Sequence, residues 1–206
     1  KNLIENLNCF EGKRILDYKL PEYHSDIPMM IFSPSVVNDG RRLLISPQKI
    51  TFLCNTDTSL FSGKIALENI EFSTLFNKND PQYLKISSAM RMNATFPYIL
   101  PMVFLPSEPK IEVMDAGLRD NLGLTTSIKY IDNFKNWIHE HTSGVVIIQL
   151  RDREKKTKIK DKQSGSLISK LFTPLTNVYG NFLKIQDYRN DEMLNQLKTS
   201  FKGDIN

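Results

Sequence analysis

The sequence is poor in the residues that most often build a metal centre or a disulfide scaffold. It has two cysteines and three histidines in 206 residues. Cys9 and Cys54 are too few for a disulfide framework. Each stands beside apolar residues, which points to buried free thiols. His24 is isolated. His139 and His141 are two positions apart at the end of a segment that reads as helix. At that spacing they project to different faces and cannot share a metal as an i, i+4 pair does, so no metal is expected. No apolar run is long enough to cross a bilayer, and no signal-peptide pattern opens the chain. The first residue is Lys1, not Met, so the translation start is not in view. The excess of one sign of charge is small as well, with 27 Lys and Arg against 23 Asp and Glu. The net charge of +4 is mild and does not by itself point to nucleic acid, which usually needs a clustered basic face, so no nucleic-acid partner is expected.

What is present is an ordinary globular composition, 40% apolar and 24% charged. The length suits one domain with a proper core and is short for two, and no linker or repeat divides it. The expectation is therefore a single domain over residues 1–206. Residues 1–26 are polar and mixed. Ile27-Pro-Met-Met-Ile-Phe32 is a short apolar run, Asn38-Asp39-Gly40 tolerates positive φ, and Arg41-Arg-Leu-Leu-Ile-Ser46 runs back: a β-hairpin. Ile50 to Cys54 reads as a further short strand, and residues 60–79 fit neither period cleanly. Leu84 to Asn93 has helical spacing, with small residues Ser87, Ser88, Ala89 and Ala94 along one side, and Pro97 and Pro101 stop it.

After residue 124 the spacing predicts a helix to about His141, capped by Thr125 or Thr126. Its buried stripe would be Ile128, Ile131, Phe134, Trp137 and Ile138. Val145-Val-Ile-Ile-Gln-Leu150 is the clearest strand in the sequence, fully apolar but for Gln149 and suited to the interior of an α/β sheet. Arg151 to Lys162 carries the densest positive charge, interspersed with acids, and reads as a solvated loop. A helical C-terminal extension follows over 163–206, interrupted near Gly180.

The stretch from Tyr83 to Leu124 holds the chemistry. A helix ends in a Phe-Pro turn, and a short strand then runs straight into Asp115-Ala116-Gly117. Glycine places no side chain against the turning backbone, so a carboxylate here can project from a strand end, where open α/β sheets usually bind ligands. Desolvation would lift its pKa from about 3.9 towards working pH and make it a general base. The same tripeptide is also common in turns, where the aspartate only satisfies backbone donors.

The order Ala89-Met-Arg-Met-Asn-Ala-Thr-Phe-Pro97, Tyr98-Ile-Leu-Pro101, Val113-Met-Asp-Ala-Gly-Leu-Arg-Asp-Asn121 resembles the C-terminal half of patatin-like phospholipases. That family has an A-x-R-A-S-x-A-x-P helix end, a short strand, and D-G-[GA] followed by Asn. The resemblance covers about residues 27–150. It implies part of a three-layer α/β/α fold with a mostly parallel central sheet. It also implies hydrolysis of acyl esters by a serine–aspartate dyad without histidine or cofactor. Asp115 matches the dyad aspartate, with Ala116, Gly117, Asn121 and Arg91 as motif-supporting positions.

The departures are specific. The chain contains no G-x-S-x-G turn for the nucleophile and no glycine-rich oxyanion loop, and both lie N-terminal to the hairpin in the family. Met92, Asn93 and Thr95 stand where Ala, Ser and Ala are favoured. The chain thus resembles the second half of a catalytic domain, inactive alone and completed by the missing N-terminal half or by self-association. Implied partners are a phospholipid or other lipid ester and a membrane surface. The address would be cytoplasmic or membrane-associated. Met90, Met92, Phe96, Tyr98, Ile99, Leu100, Met102 and Phe104 are candidates to line an acyl pocket. The alternative is a non-catalytic module that keeps the scaffold to bind lipid or a protein.

Overall fold

The structure, a computed structural model, describes residues 10–54, 68–76, 80–95, 101–151 and 167–202, the last with side chains from 181 to 201. The chain divides into two compact units, Lys1–Arg119 and Asp120–Asn206.

In the first unit the predicted hairpin turn and return strand form, but residues 27–31, expected as the first strand, belong to no strand, and pairing begins only with the bridge at Phe32 and with Ser35. Strand β1 (Ser35–Val36) pairs antiparallel with β2 (Arg42–Leu44), Ser35 opposite Arg42. The turn closes where Val36 accepts the Gly40 N–H at 2.9 Å and donates its own to Arg41 at 2.8 Å. Gly40 takes φ 75°, the left-handed region that glycine enters freely. A further bridge joins Phe32 to Ile45. The ambiguous stretch before Asn79 resolves into β3 (Asn69–Glu71), parallel to β2, leading into a one-turn helix; Lys19–Tyr23 forms α1 and this turn, Phe72–Leu75, forms α2. Helix α3 spans Ile86–Asn93, and β4 (Val103–Leu105) and β5 (Ile111–Met114) form a second hairpin. Strand β5 lies antiparallel to β1, giving the order β3-β2-β1-β5-β4.

The class is α/β, with a mixed five-stranded sheet. The expected mostly parallel sheet is not what the described strands form: only β2 with β3 is parallel. Short turns can join only antiparallel neighbours, and both hairpins have them, whereas a parallel pair needs a long crossover. The core gathers Val36, Leu43, Ile45, Ile86, Met92 and Val113. In α3 the buried stripe is Ile86, Ala89 and Met92, while Ser87 and Ala94 are exposed, so the small residues do not share one packed side.

A buried polar network ties β2 and β3 to the chain that links them. Arg42, 1% exposed, donates from Nε to Asn69 Oδ1 at 2.8 Å, and Asn69 Nδ2 donates to the Leu53 carbonyl at 2.6 Å. Glu71 accepts the Ile50 N–H at 3.1 Å and the Thr51 hydroxyl at 2.5 Å. That carboxylate corrects the strand expected at 50–54. It takes the Ile50 N–H, which a strand partner would otherwise have bonded, and Thr51–Leu53 winds into a 3₁₀ turn. Arg41 and Arg42 stand alone in the sequence but not in the fold, where Arg41 pairs with Asp39 and Arg42 with Glu68. Cys54 is a buried free thiol, and Cys9 lies outside the described residues.

The second unit is helical among its described residues. Helix α4 (Gly117–Asp120) contains the division between the units, and α5 (Leu124–Asn133), α6 (Lys135–His141) and α7 (Leu167–Lys202) follow. Leu124, Ile128, Ile131 and Leu197 form its core. The single helix expected to His141 breaks at Phe134, whose ψ of 13° leaves the helical range. Phe134 and Trp137 are exposed, so the buried stripe ends at Ile131 with Ile138 partly covered. The α7 backbone runs through Gly180 without the expected interruption. One glycine costs a helix about 1 kcal/mol relative to alanine, too little by itself to break a 36-residue element.

The clearest predicted strand is absent. Residues 145–150 belong to no strand, and Val146, Ile148 and Leu150 are 87%, 80% and 88% exposed.

The N-cap position of α5 is Gly123, and the side chain that satisfies its first turn is that of Asp120, not Thr125 or Thr126. The two Asp120 oxygens accept the Thr125 and Thr126 N–H groups at 3.0 and 2.9 Å and the Thr126 hydroxyl at 2.9 Å. Replacing Asp120 with Ala removes three bonds at a helix start and is expected to cost about 1–2 kcal/mol in urea unfolding, with Asp120→Asn costing less. Asn69→Ala removes one partner of the buried Arg42 guanidinium and is expected to cost about 1–3 kcal/mol in the same measurement. An unchanged midpoint would show that solvent replaces the network.

Candidate active site

Strand β5 ends at Met114, and the next peptide is tied to the end of α3. Asp115 donates its N–H to the Thr95 carbonyl at 2.8 Å, and Ala116 donates to the Asn93 carbonyl at 3.1 Å. Asn93 Oδ1 in turn accepts the Ser33 N–H at 2.8 Å, just before β1. Thr95 is fully buried and donates its hydroxyl to the Arg91 carbonyl at 2.5 Å, closing the last turn of α3. The helix end and the Asp-Ala-Gly turn are therefore two sides of one structure. This is why the order of these motifs in sequence carries meaning.

The Asp115 side chain is half-buried, and its Oδ1 accepts the Gly117 N–H at 2.6 Å. That bond starts α4, where Arg119 N–H reaches the Ala116 carbonyl at 3.0 Å. Among the described residues, Oδ2 has no hydrogen-bond or ion-pair partner. Burial pushes the Asp115 carboxyl above its ordinary value, and the Gly117 N–H pulls it partly back. One oxygen is held in place, and the other is left to take a proton. The turn role and the base role of Asp115 coexist, because each uses a different oxygen.

Ala116 and Gly117 are buried in this turn. Arg91 enters it only through its carbonyl, for its side chain is exposed and unpaired among the described residues. Asn121 belongs to the second unit, where its N–H donates to Gln186 Oε1 at 3.1 Å and its side chain is exposed. Arg119 pairs with Glu68 at 3.1 Å, and Glu68 also meets Arg42. Sequence reasoning passed over Ser33, Glu68 and Thr95 as site supports. It counted Asn93 as a departure, although an amide at a helix end is well placed to accept a passing backbone donor.

Of the candidate acyl-pocket residues, Met92 is core, and Met90, Met102 and Phe104 are exposed. Residues 96–100 lie outside the described set. His139 and His141 sit exposed in the last turn of α6, where His141 stacks on Trp137 at 4.9 Å. No group of three His, Cys, Asp or Glu side chains placed to hold a metal occurs among the described residues. No described helix is long and apolar enough to cross a membrane. Arg151 pairs with Asp187 at 2.8 Å, and the rest of the basic run to Lys162 lies outside the described residues.

Fold and site together define an α/β protein with a desolvated carboxylate at the carboxyl end of a sheet strand. No protein-family model, no curated protein and no solved structure matches the chain.

The raised pKa has a consequence for stability. As pH rises through the ordinary carboxylate range the unfolded chain releases its proton before the folded one does. Stability is therefore lost up to the folded pKa and stays reduced above it. Asp115→Asn keeps an acceptor for Gly117 and removes the charge. Its melting temperature is expected to exceed that of the unmodified chain at pH 7, with the gap closing as the buffer is taken to acid pH. A variant less stable at pH 7 would contradict the desolvation account.

Proposed function

We propose that this chain is the C-terminal portion of a patatin-like lipid acyl hydrolase and supplies the aspartate of a serine–aspartate dyad. The observation that carries the proposal is the divided carboxylate of Asp115: Oδ1 fixed by Gly117, Oδ2 open, and the whole group kept short of full solvation. The α3 end stitched to the Asp-Ala-Gly turn supports it, since the motifs that suggest the family meet there in space.

In this reading the serine lies upstream of the chain. Asp115 Oδ2 accepts the hydroxyl proton as the serine oxygen attacks the ester carbonyl. The tetrahedral intermediate expels the alcohol, which takes that proton and leaves an acyl-enzyme. Water, deprotonated by the same carboxylate, then releases the carboxylic acid and restores the serine. No cofactor enters the scheme. The substrate is a phospholipid or another lipid ester, met at a membrane surface.

The bond from Asp115 to Gly117 alone would also suit a non-catalytic scaffold module that binds lipid or a protein. The two readings separate in the full-length protein. There Asp115→Asn is expected to lower turnover of a lipid ester by on the order of 10³-fold or more while leaving the fold intact. The purified 206-residue chain is expected to show no serine-dependent hydrolysis. Unchanged turnover in the variant would remove Asp115 from the mechanism, and activity in the isolated chain would place the nucleophile within it.

A further inference from the structure

Arg119 stands four residues after Asp115, the spacing that brings a carboxylate and a guanidinium together along a helical turn. The local backbone has that form. Leu118 N–H meets the Asp115 carbonyl at 3.4 Å, and Arg119 N–H meets the Ala116 carbonyl at 3.0 Å. The pair is nevertheless not made. Arg119 Nη2 donates at 3.1 Å to Oε1 of Glu68, 51 positions earlier in the chain, and this is its one ion pair among the described residues. Burial and the Gly117 N–H set the Asp115 carboxyl, and no neighbouring cation contributes. An exposed carboxylate alone holds an arginine weakly. Glu68 is anchored from inside the unit: its carbonyl accepts the Arg42 N–H at 3.0 Å, and the buried Arg42 guanidinium reaches its Oε1 at 3.3 Å while Arg42 Nε stays on Asn69.

We propose that Glu68 is a positioning residue for Asp115: by holding Arg119 at the start of β3, it keeps that guanidinium off the carboxylate and leaves Oδ2 open. Arg42, Glu68, Asp115 and Arg119 all belong to the first unit. An arginine on Oδ2 would stabilise the anion, occupy the oxygen that takes a proton and leave an inert ion pair in place of a base. No other charge on the elements that meet at this turn takes that place. Helix α3 brings Arg91, whose side chain is exposed, and β1 brings none. Strand β5 brings Glu112, and α4 brings Asp120, which is engaged by Thr125 and Thr126. Glu68 thereby acquires a role that rests on the reading of Asp115 as the proton acceptor: without Glu68 the base is quenched by its own neighbour.

The test is a carboxyl-carbon NMR titration of Asp115 in the 206-residue chain and its variants. Glu68→Gln keeps the shape and removes the charge, and the Asp115 midpoint is expected to fall by on the order of one pH unit as Arg119 turns to it. Adding Arg119→Gln to that variant is expected to return the midpoint to that of the unmodified chain, which a mere loss of packing at residue 68 would not do. Arg119→Gln alone alters an exposed side chain and should leave the midpoint where it was, because the guanidinium is already held away; this arm stands whether or not Glu68→Gln folds. A midpoint that rises in Arg119→Gln would show Arg119 already acting on Asp115 and overturn the proposal. So would an unmoved midpoint in Glu68→Gln, or a lowered one that persists in the double variant. In the full-length protein the acid limb of the turnover profile should move to lower pH in Glu68→Gln and return in the double variant. The dyad reading fails separately, on unchanged turnover in Asp115→Asn, whatever the Glu68 variants do.

Discussion

Two backbone hydrogen bonds hold the Asp-Ala-Gly turn of the first unit in place: Asp115 N–H to the Thr95 carbonyl, and Ala116 N–H to the Asn93 carbonyl. They join the C-terminal end of α3 to the carboxyl end of β5 and so decide where the Asp115 side chain stands. Asn93 extends the tie to Ser33 through its side chain, which brings the approach to β1 into the same junction. Because β1 is the central strand and pairs with both β2 and β5, a shift at this point would be felt across the sheet. The buried Thr95 leaves little room for adjustment.

From that junction the electrostatics follow. A carboxylate anchored by one backbone donor and partly removed from water is held at a higher pKa than a free aspartate, and its second oxygen is not engaged by the described residues. The fold thus keeps a group in a state that is unfavourable for stability at neutral pH. Such a cost is commonly tolerated where a side chain has chemistry to perform. The contrast with Asp120 is instructive. Five residues further on, a carboxylate of the same type is saturated by two N–H groups and a hydroxyl, and its work is to start a helix.

Much of this was legible in the sequence where the signal was local. Asn38-Asp39-Gly40 announced the hairpin turn because positive φ selects its own residues. The Asp-Ala-Gly turn stood out because strand, acid and small residues follow one another without a gap. What was not legible depended on partners far along the chain. Residues 50–54 look like a strand until Glu71, about twenty positions on, takes the Ile50 N–H and the Thr51 hydroxyl. β3 is three residues long and too short for a period to declare itself. Asp120 satisfies a helix start from five and six residues away, so adjacent threonines drew the inference instead. The apolar run at 145–150 suggested an interior strand that is absent, because no local pattern can say whether a neighbouring strand is there to pair with.

The central claim is that Asp115 is a desolvated carboxylate with one oxygen free to take a proton. A carboxyl-carbon NMR titration of the Asp115 side chain tests it most directly. The account predicts a midpoint above the roughly 3.9 of an unperturbed aspartate. A midpoint at or below that value would show the group to be well solvated or fully hydrogen-bonded, and would contradict it.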